Sequence, residues 1–298
     1  MLEPELCFVQ CPDASGGHRM AYWSWGDSTA THIVVCVHGL SRQGRDFDVL
    51  ARALGARAEG PLHVVCPDMV GRGKSDWLKD PMAYQFPTYA ADVLSLLGQL
   101  KPAMLDWVGT SMGGLIGVVI SGQPGLPLPV PVRRLVINDI GPTIQAEAVL
   151  RIGSYLGQTG RFESLEQAAA AMLAISVSFG PHTPEQWHAL SRHMVRPLDG
   201  VPGSWTLHYD PAIAVPFRSV TQESAAQGEA LLWQLYDNIR ADTLLVRGAD
   251  SDVLSPQTAL AMTQRGPRAR LVEFAGVGHA PTLIADDQVQ CVADFLLG

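Results

Sequence analysis

The chain has 298 residues, of which 47% are hydrophobic and 17% charged, and its formal charge is -8. That is too apolar for a disordered chain and supplies a sizeable core for one α/β unit carrying an insertion. The acidic balance argues against nucleic acid, whose phosphates require clustered Lys and Arg, and against an anionic membrane surface. Five cysteines without a C-x-x-C pair indicate neither a disulfide framework nor a zinc ribbon, so a reducing compartment is the simplest inference. The N-terminus shows no basic stretch followed by an apolar one. The weakly polar run 168–179 is too short to span a bilayer, and a soluble, cytoplasmic protein is expected.

Along the chain, short β-branched runs alternate with helical patterns, the order of a mostly parallel sheet with helices on both faces. Eight strands are expected, at 6–10, 19–25, 32–37, 63–66, 104–108, 133–138, 242–246 and 270–274. Helices fit between them at about 45–54, 88–100, 112–121, 256–264 and 286–296. The continuously apolar runs 33–37 and 244–246 suit strands covered on both faces. Ser255-Pro256 opens its helix with a serine N-cap and a proline at the first helical position. Residues 141–222 break the rhythm and read as several short helices without a convincing strand pair, with Ser164…Gln167 and Thr183…Gln186 as capping boxes. The expected division is an α/β core of residues 1–140 and 223–298 and a helical cap of residues 141–222.

The chemistry sits at the ends of the strands. The strand 32–37 runs into His38-Gly39-Leu40, where the Leu40 N–H is a candidate donor to a developing oxyanion and His38 is placed to hold the loop. Next comes Asp68-Met69-Val70-Gly71-Arg72-Gly73-Lys74-Ser75. Its Gly-Lys-Ser imitates a phosphate-binding loop, but Asp68 stands where that loop needs a glycine. No nucleotide site is expected there, and Asp68 and Arg72 read as structural. Gly109-Thr110-Ser111-Met112-Gly113 follows a strand and opens a helix, the setting that G-x-S-x-G requires of a nucleophile. So tight a turn strains the serine backbone and leaves no room for neighbouring side chains. Ser111 is therefore the candidate nucleophile, and the Met112 N–H the second oxyanion donor.

Three aspartates compete to orient the base. Asp139 lies in the turn-rich exit Asn138-Asp139-Ile140-Gly141-Pro142; Asp250 and Asp252 lie in Arg247-Gly248-Ala249-Asp250-Ser251-Asp252. Asp252 is the expected acid, since it lies past the small turn with reach to spare, while Asp250 suits capping that turn. Asp139 is the alternative. His279, flanked in Gly276-Val277-Gly278-His279-Ala280-Pro281 after the last strand, is the candidate general base.

The order Ser…Asp…His, with the glycine-rich loop 68–75, resembles the α/β-hydrolase fold superfamily, in its capped serine hydrolase and esterase-like members, from about residue 7 to residue 298 outside the cap. The resemblance implies hydrolysis through an acyl-enzyme without metal or organic cofactor. It also favours Asp252, because relatives with an Arg-Gly-x-x-Ser-Asp stretch use the later aspartate. Ser111 stands where epoxide hydrolases and haloalkane dehalogenases carry aspartate and dienelactone hydrolases cysteine; Ala280 stands where carbon–carbon hydrolases usually carry tryptophan. A small or medium carboxylic ester, lactone or thioester is the implied substrate. Carbon–carbon hydrolysis and a non-enzymatic binding module on the same fold are the alternatives. In the cap, Trp187, Trp205 and Phe217 are candidates for setting acyl length, although such residues at helical spacing more often pack than touch substrate. Arg151, Arg161, Arg192 and Arg196 could bind a substrate carboxylate but read as solvent-facing charges. The sequence leaves the oligomeric state open.

Overall fold

Alternate residues of the strand at Ile33 feed different cores: Ile33, Val35 and Val37 pack on one side of the sheet, Val34 and Cys36 on the other. A strand buried on both faces must lie inside a sheet covered twice, and the computed structural model, which describes residues 3–158 and 160–298, has that layout. The first half builds β1 (Glu5–Cys11), β2 (His18–Gly26), β3 (His32–Val37), α1 (Asp48–Arg57), β4 (His63–Asp68), α2 (Phe86–Leu100), β5 (Met104–Thr110), α3 (Met112–Gly122) and β6 (Val132–Asn138). There follow α4 (Ala146–Tyr155), β7 (Arg161–Phe162), α5 (Leu165–Ile175), α6 (Pro184–Ser191), β8 (Val195–Pro197), β9 (Trp205–Leu207) and α7 (Ala214–Arg218). The chain closes with α8 (Gln222–Asn238), β10 (Asp242–Gly248), α9 (Pro256–Gln264), β11 (Arg270–Phe274) and α10 (Asp286–Leu297).

The eight-stranded sheet has the order β1-β2-β4-β3-β5-β6-β10-β11. Only β2 runs against its neighbours; the other pairings are parallel. All eight expected strands are present. α1 and α10 cover one face, through Leu50, Leu54, Val292 and Leu296. The other face carries α2, α3, α8 and α9, through Val93, Ile116, Leu235 and Met262. Trp107 of β5 is fully buried beneath α3 and donates its indole N–H to the Gly113 carbonyl at 3.1 Å. Truncating such a side chain to alanine costs about 3–5 kcal/mol.

The stretch between β6 and α8 differs from the helical reading. It contains a small antiparallel sheet, β7-β9-β8, whose strands of two and three residues are too short to show a period in sequence. Its helix starts follow the caps: Thr183 and Gln186 form the full capping box, while Ser164 accepts from Gln167 N–H and the Gln167 amide reaches Glu163 instead. His208 ties this stretch to the core. Burial pushes its pKa down to about 3, and the neutral ring accepts from Gly73 N–H at 2.7 Å and donates to the Ser41 carbonyl at 3.1 Å.

Another histidine is kept charged at the far edge of the sheet. His18, buried where β2 begins, has Nδ1 2.8 Å from Asp13 and Nε2 3.1 Å from Asp92 of α2. Burial opposes the charge, but Asp92, with Cys11 and Asp13, raises the pKa to about 11. Among the described residues no helix is long and apolar enough to cross a membrane.

Candidate active site

β5 delivers Ser111 at its carboxyl end and α3 begins one residue later, so the serine occupies the hinge between two rigid elements. Its backbone sits at φ 51°, ψ -115°, a conformation that costs a non-glycine residue roughly 1–3 kcal/mol and persists only where packing enforces it. Packing does so here. A side chain at Gly113 would drive its β-carbon into the carbonyl oxygen of Val37, so α3 lies directly on the β3 backbone. Ser111 N–H is anchored on the Asn138 carbonyl at 2.9 Å, and the Asn138 amide donates to Thr110 Oγ1 and to the Pro281 carbonyl. One buried asparagine thus links the serine turn to the histidine loop.

His279 lies on the loop between β11 and α10, with Nε2 2.9 Å from Ser111 Oγ and Nδ1 2.8 Å from Asp139 Oδ2. This corrects the expectation for the acid: the structure brings Asp139, and not Asp252, to the imidazole. Asp139 has no exposed surface and turns sharply off β6 at φ 59°. Gly248 N–H donates to its Oδ1 at 2.8 Å and the Ser251 hydroxyl to its Oδ2 at 2.7 Å. Asp252 lies about half exposed on the far side of the same loop, where Arg151 of α4 grips it with bonds of 2.7 and 3.0 Å. Asp250 is also exposed, and its N–H bonds the Val277 carbonyl. The loop that was to supply the acid instead supplies the hydrogen bonds that hold Asp139. Gly248 and Ser251 were missed in the sequence, where only the strand end beside β6 pointed to them.

Leu40 follows β3 on a loop that runs beside the serine, close enough that a β-carbon at Gly39 would touch Ser111 Cβ. The Leu40 N–H shares a peptide plane with the Gly39 carbonyl, and that carbonyl accepts from His38 Nδ1–H at 2.7 Å and from Arg42 N–H at 3.1 Å. His38 in turn accepts from Met69 N–H at 2.9 Å, and burial holds its pKa well below the usual range. It is a neutral brace, as its place before the glycine implied. Met112 contributes the first N–H of α3, at the helix end where backbone donors have no intrahelical partner.

These groups open into a cavity of about 350 Å³ that Ser111, His279 and Leu40 line from the core. The stretch between β6 and α8 contributes Tyr155, Phe162, Met172, Phe179 and Tyr209 among its walls. None of the three aromatics expected to set acyl length lines it. Trp187 is buried against α5, donating to the Ala169 carbonyl; Trp205 packs on that same cluster and Phe217 on the main core. Two arginines do reach the wall, each held by a carboxylate: Arg42 by Asp46 and Arg151 by Asp252. Chemically, a hydroxyl hydrogen-bonded to an imidazole that a buried carboxylate holds can add to a carbonyl carbon.

Residues 34–293 match the Alpha/beta hydrolase family. The chain is 47% identical over 296 residues to the 3-hydroxybutyrate-oligomer hydrolase of Cupriavidus necator, covering 99% of this chain and 98% of that protein. Among solved structures, an alpha/beta hydrolase from Novosphingobium aromaticivorans superposes with a TM-score of 0.82 at 32% identity, over 99% of each chain. Fold, strand order and these likenesses agree: the chain belongs to the Alpha/beta hydrolase family and is a hydrolase.

Proposed function

We propose that this ester hydrolase cleaves short oligomers of a 3-hydroxy acid, of which 3-hydroxybutyrate is the favoured unit, through an acyl-enzyme on Ser111. The hydrogen-bonded chain Asp139–His279–Ser111, with contacts of 2.8 and 2.9 Å, is the observation that carries the chemistry. The substrate class comes from the Cupriavidus relative, whose likeness spans 99% of this chain. The cavity of about 350 Å³ lies at the small end of the usual range for ligand sites, which favours a short oligomer over a polymer chain.

In this reading His279 takes the Ser111 proton as the hydroxyl attacks the ester carbonyl, and the Leu40 and Met112 N–H groups receive the oxygen as it becomes anionic. His279 then gives the proton to the departing alkoxide oxygen, which leaves as the hydroxyl of one 3-hydroxy acid unit. Water, deprotonated by the same imidazole, releases the acyl group from Ser111. Asp139 accepts from Nδ1–H and so holds the imidazole in the tautomer that accepts at Nε2. The stretch over the cavity acts as a cap that sets the length of the acyl part.

The test is product analysis on the dimer and trimer of 3-hydroxybutyrate, alongside p-nitrophenyl esters, lactones and acyl-thioesters of graded length. Release of free 3-hydroxybutyrate by the wild type and its loss in Ser111→Ala are expected. Turnover of simple esters with none of the oligomers would reject the substrate while leaving the nucleophile standing.

A further inference from the structure

The segment Gly71-Arg72-Gly73 takes no part in the chemistry above, yet it carries a fully buried arginine. Among the described residues no carboxylate lies within ion-pair distance of Arg72. Burying an arginine without a counter-charge is expensive, so the fold that keeps one in place gains something by it. Its donors go to neutral acceptors: Nη1 to the Val70 carbonyl at 2.7 Å and to Tyr89 Oη at 3.0 Å, Nε to the Leu40 carbonyl at 2.9 Å, and Nη2 to Met112 Sδ at 3.7 Å. The Tyr84 and Tyr89 rings flank the guanidinium with centroids 5.7 and 5.2 Å away. The two glycines are what let the chain thread there. A β-carbon at Gly71 would meet the Tyr84 ring and one at Gly73 the Asp68 carboxylate, and both sit at positive φ.

Leu40 and Met112 are the two residues whose N–H groups would receive the oxyanion, they lie on different elements, and Arg72 touches both. We propose that Arg72 is the positioning residue of the oxyanion hole, locking the Leu40 loop to the start of α3 from behind and placing an unpaired positive charge at the back of the hole. The inference rests on the reading of Leu40 and Met112 as the oxyanion donors. His38 fixes the peptide on the Gly39 side of Leu40; Arg72 fixes the next one, so the Leu40 backbone is held at both ends. Preorganised donors contribute chiefly when charge develops, so the effect belongs to the transition state and not to substrate binding.

The test compares wild type with Arg72→Gln, Arg72→Lys and Tyr89→Phe, the last removing only one acceptor of the guanidinium. Arg72→Gln should lower kcat roughly 10²-fold with KM within about threefold, since loss of one oxyanion donor costs about 10²–10³ in rate. Affinity for a boronic acid, which forms an anionic tetrahedral adduct on Ser111, should fall in step with kcat. Affinity for the product 3-hydroxybutyrate should hold. Arg72→Lys should recover only part of the loss, because a point charge cannot span both contacts. Tyr89→Phe should lose a few-fold in kcat by the same pattern. Failure of the two readings is separable in the wild-type boronate adduct. If no boronate oxygen meets Leu40 and Met112 N–H, the oxyanion reading falls and takes this inference with it. If one does, and Arg72→Gln and Tyr89→Phe keep wild-type kcat and boronate affinity, or lose kcat and product affinity alike, Arg72 is not the positioning residue.

Discussion

Two loops leave adjacent parallel strands, one carrying Asp139 and the other Asp250 and Asp252, but only the loop after β6 brings its aspartate to His279. Asn138 of β6 pairs with Val246 of β10, so Asp139 leaves β6 level with Arg247, while β10 runs on to Gly248. Asp139 turns at once and lays its carboxylate across the end of β10. Asp252 comes several residues after its strand. By then the turn through Gly248 and Ser251, closed by the Ser251 N–H to Gly248 carbonyl bond, has carried the chain out to Arg151. Position at the strand end therefore outranks reach along a loop. The carboxyl ends of parallel strands are where α/β sheets place their chemistry, and Asp139 is closer to that edge than either rival.

The comparison breaks most sharply at the acid. Asp139→Asn should depress kcat by roughly 10⁴ while leaving the fold intact, because the amide permits the wrong imidazole tautomer. Steady-state kinetics on any hydrolysed ester reads this. Ser251→Ala removes a bond to Asp139 and also the acceptor for the Val253 and Leu254 N–H groups. A kcat loss of roughly tenfold and about 1–2 kcal/mol of stability are expected, measurable by kinetics and denaturant unfolding. Asp252→Asn should stay within about threefold of wild-type kcat, and losing a largely exposed pair with Arg151 should cost less than about 1 kcal/mol. A drop in kcat as large as that of Asp139→Asn would reverse the roles of the two loops.

A smaller effect contrasts this histidine with His18, which two carboxylates hold charged. The His18 pKa is raised from 6.5 to about 11 in the folded protein. Its contribution to stability is therefore complete below pH about 6.5 and is lost as pH rises toward 11. Thermal melts from pH 7 to 10.5 should fall more steeply in wild type than in His18→Gln. Parallel curves would show that the Asp13–His18–Asp92 relay holds no such charge.

The eight strands were legible because β-branched runs buried on both faces leave little else to be. That Ser111 and His279 meet was legible because each sits among glycines, which mark the chain. The acid was not, since three aspartates satisfied the same local grammar and the choice depended on which strands lie side by side. Helix α8 was missed for a different reason: Gln222–Asn238 buries only Leu235 and Tyr236 deeply and shows no strong apolar stripe. The walls of the cavity were misread because a tryptophan such as Trp187 is as useful to packing as to a pocket, and sequence spacing does not tell the two apart.

The most direct measurement follows the proton between His279 and Asp139 by NMR. An imidazole N–H donating to a buried carboxylate resonates far downfield of the backbone amides. The signal of His279 Nδ1–H, told apart from those of His18 and His32 by its loss in His279→Gln, should be present in wild type and in Asp252→Asn and absent from Asp139→Asn. A signal that survives in Asp139→Asn and vanishes in Asp252→Asn would contradict the assignment of Asp139 as the residue that holds the base.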